Sequence, residues 1–214
     1  MHITKNIWLL RHGQTQYNAD GRIQGRGINA PLNDKGKEQA RLLAQEMQKR
    51  LEAADTRLYC SSMIRAVQTA QPLAELLGLP LNKTEALEEL NYGKFEGAAF
   101  EDVEDELNQL MQEWDNGKTQ VAPEGGESPQ EVLNRADAFI QPLLAENGCK
   151  NLVIVAHGRV LRVLISAYLY KDLKHMSRIQ HHNANINCLQ FADNAFKAKI
   201  INDITHLSSM GDLT

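Results

Sequence analysis

Two short apolar runs in this chain end in the same way. Ile7-Trp8-Leu9-Leu10 empties into Arg11-His12-Gly13, and the apolar residues 152–156 empty into His157-Gly158. Four or five continuous apolar residues make a strand, and a strand apolar at every position has to be covered on both faces. The pattern supplies the covers. Asn33 or Asp34 can cap a helix whose apolar face is Ala40, Leu43, Ala44, Met47 and Leu51. Residues 57–60 form another short strand candidate. Ser61 or Ser62 can then cap a helix with Ile64, Val67, Ala70, Leu73 and Leu77 on one face. A further helix follows His157-Gly158, with Val160, Leu161, Leu164 and Tyr168 turned inward. Strands that alternate with helices predict a three-layer α/β/α sandwich with a mostly parallel sheet. Ligands of such sheets bind beyond the carboxyl ends of the strands, where His12 and His157 both stand.

The remaining segments fit around that frame. Residues 14–31 are rich in Gly, Asn and Gln and predict a structured loop. Residues 94–127 read as a cap-like insertion over the main body. Its helix lies near 101–114 and carries Glu101, Asp102, Glu104, Asp105 and Glu106, and a loop with Pro123, Gly125 and Gly126 follows. Ser128-Pro129 starts another helix, running to about Glu146. Residues 186–191 and 196–201 read as a strand pair turning at Asp193-Asn194, and the last ten residues are expected to be loose. A chain of 214 residues carries this as one domain, 1–214.

Lys plus Arg number 23 against 27 Asp plus Glu, a net charge of −4. That balance argues against a non-specific binder of nucleic acid or membrane surfaces, so any anionic ligand needs a local cluster of positive groups. Cys60, Cys149 and Cys188 are scattered, with no C-x-x-C spacing and no disulfide framework. No signal peptide and no membrane-spanning run is legible, so the expected compartment is the cytosol.

Arg65 falls in the first turn of a helix that follows a strand, the arrangement already seen for the two histidines. With it in place, the motifs are recognisable in order. Leu9-Leu10-Arg11-His12-Gly13-Gln14-Thr15-Gln16-Tyr17-Asn18 opens the series, followed by Ile23-Gln24-Gly25, Pro31-Leu32-Asn33 and Gly36. Then come Ser61-Ser62 through Ala70, and Leu87-Glu88-Glu89-Leu90-Asn91-Tyr92-Gly93-Lys94-Phe95-Glu96-Gly97. Pro123-Glu124-Gly125-Gly126-Glu127-Ser128 and Val155-Ala156-His157-Gly158 complete it. From about residue 6 to about residue 191 the chain resembles the histidine phosphatase superfamily, also called phosphoglycerate mutase-like, and its phosphatase branch in particular.

The resemblance implies a phosphomonoester substrate and a phosphohistidine intermediate at His12, whose second ring nitrogen a backbone carbonyl near Gly13 would hold. It implies that Arg11 and Arg65 grip phosphoryl oxygens bidentately and that a cationic His157 stabilises the transition state. Asn18, Gln24, Gly25, Tyr92 and the Gly158 amide are lesser candidates for substrate contacts. The proton donor would be Glu89, three residues before Tyr92, and the competing Glu88 reads as an exposed acid. No metal or other cofactor is implied. Adjacent His181 and His182 make a poor ligand pair and are expected to rim the pocket instead.

The superfamily divides into phosphatases and mutases. The mutases carry a lysine shortly after the Tyr-Gly block and an arginine pair further on, which hold a carboxylate. Here the matching stretch is Glu96-Gly97-Ala98-Ala99-Phe100-Glu101-Asp102, and between 97 and 122 the only basic residue is Lys118. The expectation is therefore a phosphatase of small phosphorylated metabolites such as sugar phosphates or phosphoglycerates. Its pocket would be left open by a short acidic insertion, with positive charge from Arg11, Arg65 and the histidines sufficient for one phosphoryl group. A mutase, or a phosphoprotein-directed regulator, is the alternative. A homodimer is a further possibility, since dimers occur in the family.

Overall fold

The sheet is built on side-chain alternation. In the computed structural model, which describes residues 4–211, the first strand is β1 (Lys5–Arg11). Its Ile7 and Leu9 pack into one apolar cluster, while Trp8 and Leu10 pack into another on the opposite face. The chain continues through α1 (Gln16–Ala19), α2 (Asp34–Arg50), β2 (Thr56–Ser61), α3 (Ile64–Leu77), β3 (Asn82–Thr84), α4 (Glu104–Asp115) and α5 (Pro129–Ala145). It ends with β4 (Asn151–Ala156), α6 (Gly158–Ile165), β5 (Ile186–Ala192) and β6 (Ala195–Asp203). The six strands form one sheet in the order β3-β2-β4-β1-β5-β6. The first four in that order are parallel, and β5 and β6 are antiparallel additions. α2 and α3 cover one face, and α5 and α6 cover the other, so the three-layer α/β/α sandwich is as expected.

The crossover that matters is β4, which sits between β2 and β1 with all six residues buried. Its register pairs Arg11 with Ala156, so His12 and His157 leave neighbouring strands side by side. The His12 amide donates to the Ala156 carbonyl at 3.0 Å.

Several elements differ from the sequence reading. β3, Asn-Lys-Thr, has no apolar alternation to reveal it, and pairs with β2 through Tyr59, Cys60 and Ser61. α3 is not capped by Ser61 or Ser62. Its first amide, Ile64, donates instead to Asn29 Oδ1 at 2.7 Å, from the loop before α2. The helix expected near 101–114 begins at Glu104, after a separate 3-10 turn Phe100–Asp102. The tail is not loose over 205–210. Thr205–Met210 forms a 3-10 turn with Leu207 buried in the cluster shared with α2, and 212–214 lie outside the described residues.

Candidate active site

His12 follows the last residue of β1 and is almost fully buried. Its Nδ1 donates to the Gly13 carbonyl at 2.7 Å, so the proton sits on Nδ1 and the Nε2 lone pair is free. Gly13 is fixed by its own amide, which donates to Thr69 Oγ1 of α3 at 2.9 Å. A Cβ on Gly13 would stand 2.5 Å from the Gly36 carbonyl oxygen, so this approach to α2 requires glycine. Burial, then the Arg65 and Arg11 charges, hold His12 well below the usual imidazole range. It is therefore neutral, as a nucleophile must be.

Arg65 is 1% exposed and largely committed to the protein. It donates through Nε to His157 Nδ1 at 3.1 Å, and through its terminal nitrogens to the carbonyls of Ile28 at 2.8 Å and Gly25 at 2.9 Å. Burial lowers its pKa to about 10. Because His157 accepts at Nδ1, its proton is on Nε2, which donates to Ser61 Oγ at 2.8 Å. His157 is thus neutral in the free site. Burial, then Arg65, His12 and Arg11, hold it well below the usual range and keep it neutral. Ser61, read from the sequence as a helix cap, is the partner that fixes this ring.

Glu89 sits at the start of α6. Its Oε1 accepts from the Leu90 amide at 2.9 Å and the Val160 amide at 3.3 Å, and its Oε2 from the Arg159 amide at 3.2 Å. Those contacts aim the carboxyl group into the same cavity as His12. Glu88 is not the exposed acid expected: it is half-buried, bonded to Ser62 Oγ and to Arg26 Nε at 2.6 Å, and does not line the cavity.

The cavity holds about 330 Å³. Arg11, His12, Asn18, Gln24, Gly25, Arg65, Glu89 and Tyr92 all line it, whereas His157 lies behind His12 with ring centroids 5.1 Å apart. The Gln24 side-chain oxygen is buried without a partner. Gly158 does not line the wall. A Cβ there would meet Arg11 Nε at 3.4 Å, an ordinary contact. His181 and His182 do not rim this cavity either. The His181 carbonyl accepts from Arg11 at 2.9 Å, and both histidines line a separate space of about 140 Å³ behind it.

Sequence reasoning missed three further features. Glu96 accepts from the amides of Tyr92, Arg26 and Gly27, which ties the loop after Gly25 to the acid block. The acids at the start of α4 point to solvent, and the helix instead presents Leu107 and Met111 to the cavity beside Phe100. Most consequentially, Arg159 and Arg162 of α6 line the cavity, so its positive charge does not come from Arg11, Arg65 and the histidines alone. A signal for both was present in their spacing: three residues apart, they share a helix face, and that helix starts at a strand end where the site was expected.

The family model of the histidine phosphatase superfamily (branch 1) matches residues 7–204. Phosphoserine phosphatase 1 of Hydrogenobacter thermophilus is 29% identical over 93% of this chain and 92% of its own length. Phosphoglycerate mutase-like protein 4 of Arabidopsis thaliana is 28% identical over 97% and 89%. The mycobacterial glucosyl-3-phosphoglycerate phosphatase solved with VO3 superposes with a TM-score of 0.82 at 26% identity, covering 92% of this chain and 98% of that one. With the fold, the paired histidines and a match over nearly the whole chain in agreement, the chain belongs to branch 1 of the histidine phosphatase superfamily and is a phosphatase of that superfamily.

Proposed function

We propose that the protein is a metal-independent phosphomonoesterase that works through a phosphohistidine at His12 on a small phosphorylated metabolite of the sugar phosphate or phosphoglycerate class. The observation that carries this is the His12 Nδ1 bond to Gly13, which leaves Nε2 as a neutral nucleophile in an arginine-lined cavity. In the first step the Nε2 lone pair attacks phosphorus in line. The bond from phosphorus to the ester oxygen breaks, and that oxygen takes a proton from the Glu89 carboxyl. In the second step water attacks phosphorus and gives its proton to the Glu89 carboxylate, the bond from phosphorus to His12 Nε2 breaks with its electron pair returning to the imidazole, and inorganic phosphate leaves. Arg11 and Arg65 neutralise the equatorial oxygens, with Asn18, Gln24 and the Gly25 loop beside them. A cationic His157 beside the bound dianion would need a proton on Nδ1, where the ring accepts from Arg65 Nε, so Arg65 would have to turn from it toward the phosphoryl oxygens. The segment 94–127 is the cap against which the ester group is selected, because Phe100, Leu107 and Met111 line the cavity.

The positive donor set supports metal independence, since guanidinium groups around the phosphoryl site repel a divalent cation. Turnover is expected to persist in EDTA and to be inhibited by vanadate, a pentacoordinate mimic. Loss of turnover in EDTA that added metal restores would refute this part. A second reading, a mutase, is favoured by Tyr92 and by the arginines of α6. Primer-dependent conversion of 3- to 2-phosphoglycerate, with little phosphate release, would establish it. The three free cysteines fit a reducing cytosol, and the net negative charge fits a protein without nucleic-acid or membrane partners. A homodimer is part of the same proposal, and sedimentation would test it.

A further inference from the structure

The carbonyl that holds His12 belongs to a peptide plane with a second partner. His12 Nδ1 donates to the Gly13 oxygen at 2.7 Å, and the amide of the same plane, Gln14 N–H, donates to Gln39 Oε1 at 2.8 Å. A trans peptide is rigid and points its C=O and N–H to opposite edges, so His12 and Gln39 hold one plate from two sides. Gln39 lies in the second turn of α2 and is 4% exposed. The other buried side chains along that face, Ala40, Leu43, Ala44 and Met47, are apolar, so a glutamine there is out of pattern.

The start of α2 brings Gln39 to this plane. Gly36 lies three residues earlier on the same face of the helix. A Cβ on Gly36 would stand 2.0 Å from the Gln14 carbonyl oxygen and 2.8 Å from its amide nitrogen, so the close approach requires glycine. The Asn33 amide donates to the Gln14 carbonyl at 3.0 Å, and its side chain donates to Gln14 Oε1 at 2.9 Å. The preceding peptide plane is held by other groups. Its Gly13 amide donates to Thr69 Oγ1 at 2.9 Å, and its His12 carbonyl accepts from the Ala184 amide at 3.2 Å and from Asn183 Nδ2 at 3.1 Å. Those groups fix the His12 backbone, whereas Gln39 acts on the plane that carries the Gly13 oxygen.

We propose that Gln39 is a positioning residue for the reaction, orienting and polarising the Gly13–Gln14 peptide so that His12 stays protonated on Nδ1 with its Nε2 lone pair aimed at phosphorus. This rests on the reading of His12 as the nucleophile. When Nε2 gives its electron pair to phosphorus the ring gains positive charge, and Nδ1–H becomes a stronger donor. Hydrogen bonds in a chain polarise one another, so the bond from Gln14 to Gln39 leaves more electron density on the Gly13 oxygen. The bond from His12 to Gly13 therefore strengthens most in the transition state, where a contribution raises kcat and not binding. The hydrogen bonds of Arg11 and Arg65 go to other groups, the carbonyls of His181, Ile28 and Gly25 and the His157 ring, so the grip on phosphate is separate.

The test replaces Gln39 by Met, which fills the space without an acceptor, and by Glu, which keeps an oxygen at the same reach. Nitrogen NMR of the histidine rings, with the His12 signal assigned by its loss in His12→Ala, is expected to show His12 as the Nδ1–H tautomer in the unmodified protein. In Gln39→Met the signal moves toward the Nε2–H form and kcat falls by roughly ten- to a hundredfold, the scale of a lost outer partner of a functional histidine. KM and the inhibition constant of inorganic phosphate move by less than about threefold, because the arginines are untouched. Gln39→Glu keeps the tautomer and holds kcat within about threefold, whatever its melting temperature. A merely structural glutamine gives another pattern, in which kcat follows the melting temperature and the tautomer does not change. A tautomer or a kcat kept in Gln39→Met overturns the proposal. So does an equal loss in Gln39→Glu, or an Nε2–H tautomer in the unmodified protein. Should Gln39→Met fail to fold, Gln39→Leu supplies the acceptor-free variant, and the unmodified tautomer and Gln39→Glu still decide. Failure of the phosphohistidine reading looks different: phosphate is found on another residue, or no ester, p-nitrophenyl phosphate included, is turned over. The ring tautomer then still reports on Gln39, since its measurement needs no turnover.

Discussion

Replacing Glu89 by Gln separates two roles that the structure gives this side chain. The carboxyl group receives two amides on Oε1 and one on Oε2. Glutamine keeps one oxygen and puts an NH2 in place of the other. The better orientation leaves the oxygen facing the Leu90 and Val160 amides and turns the NH2 against the Arg159 amide, donor to donor. One hydrogen bond is lost and a buried donor is left unpaired, at a cost of about 1–3 kcal/mol. For a chain of this size that corresponds to a fall in Tm of about 2–12 °C. The chemical effect is separate. A lost general acid typically costs roughly 10²–10⁴-fold, and only where the leaving oxygen needs a proton. Alkyl phosphates should therefore lose roughly that factor in kcat, while p-nitrophenyl phosphate, whose leaving group needs little help, should lose less than about tenfold. Steady-state kinetics on both esters, with a thermal melt of the same sample, reads the two effects independently. An equal fall for both leaving groups would refute the assignment of Glu89 as proton donor. Glu88→Gln is the control, since Glu88 is occupied by Arg26 and Ser62 away from the cavity, and its effect should be mild. If Glu88→Gln shows the leaving-group dependence instead, the proton donor is one residue earlier.

Other expectations follow from the same geometry. His12→Ala should lose nearly all turnover and stay folded, and mass spectrometry of a rapidly quenched reaction should find phosphate on His12 in the unmodified protein; phosphate on another residue would refute the mechanism. Ser61→Ala strips the acceptor from the buried His157 Nε2–H and should cost about 1–3 kcal/mol by chemical denaturation, with a fall in kcat; unchanged stability would mean that the imidazole has turned to another partner. His12 and His157 both have folded pKa values well below those of the unfolded chain, so the unfolded chain binds protons first as pH falls. Stability should hold above about pH 6.5 and drop by about 2–3 kcal/mol for the pair by pH 5.5, a loss that inorganic phosphate should reduce. A flat profile over that interval would show that the two rings are not held neutral.

The fold was legible wherever apolar residues decided it. β1 and β4 announce themselves as continuous apolar runs, and α2 and α5 by helical spacing with Asn33 and Ser128 as caps. β3 was invisible because it is a short, polar strand at the edge of the sheet, held by backbone pairing to β2, which leaves no pattern in side chains. The turn Thr205–Met210 depends on one buried leucine, Leu207, too small a signal to separate from a frayed end.

The site divides along a different line. His12, Arg65, Glu89 and His157 were legible because ordered motifs and strand ends mark them. Ser61 was misread because a serine before a helix has a commonplace role, and only the tertiary approach of β4 shows that its hydroxyl faces His157. Arg159 and Arg162 went unread for a related reason. Arginine on a helix usually faces water, and nothing in the local sequence says that α4 and Trp114 will close over this one. Yet the rule that found His157 extends one turn further. A side chain on the first turns of a helix that leaves the carboxyl end of a central strand starts at the ligand, and positions 159 and 162 occupy one face there. Reading only the strand ends therefore counted half of the cavity's guanidinium groups.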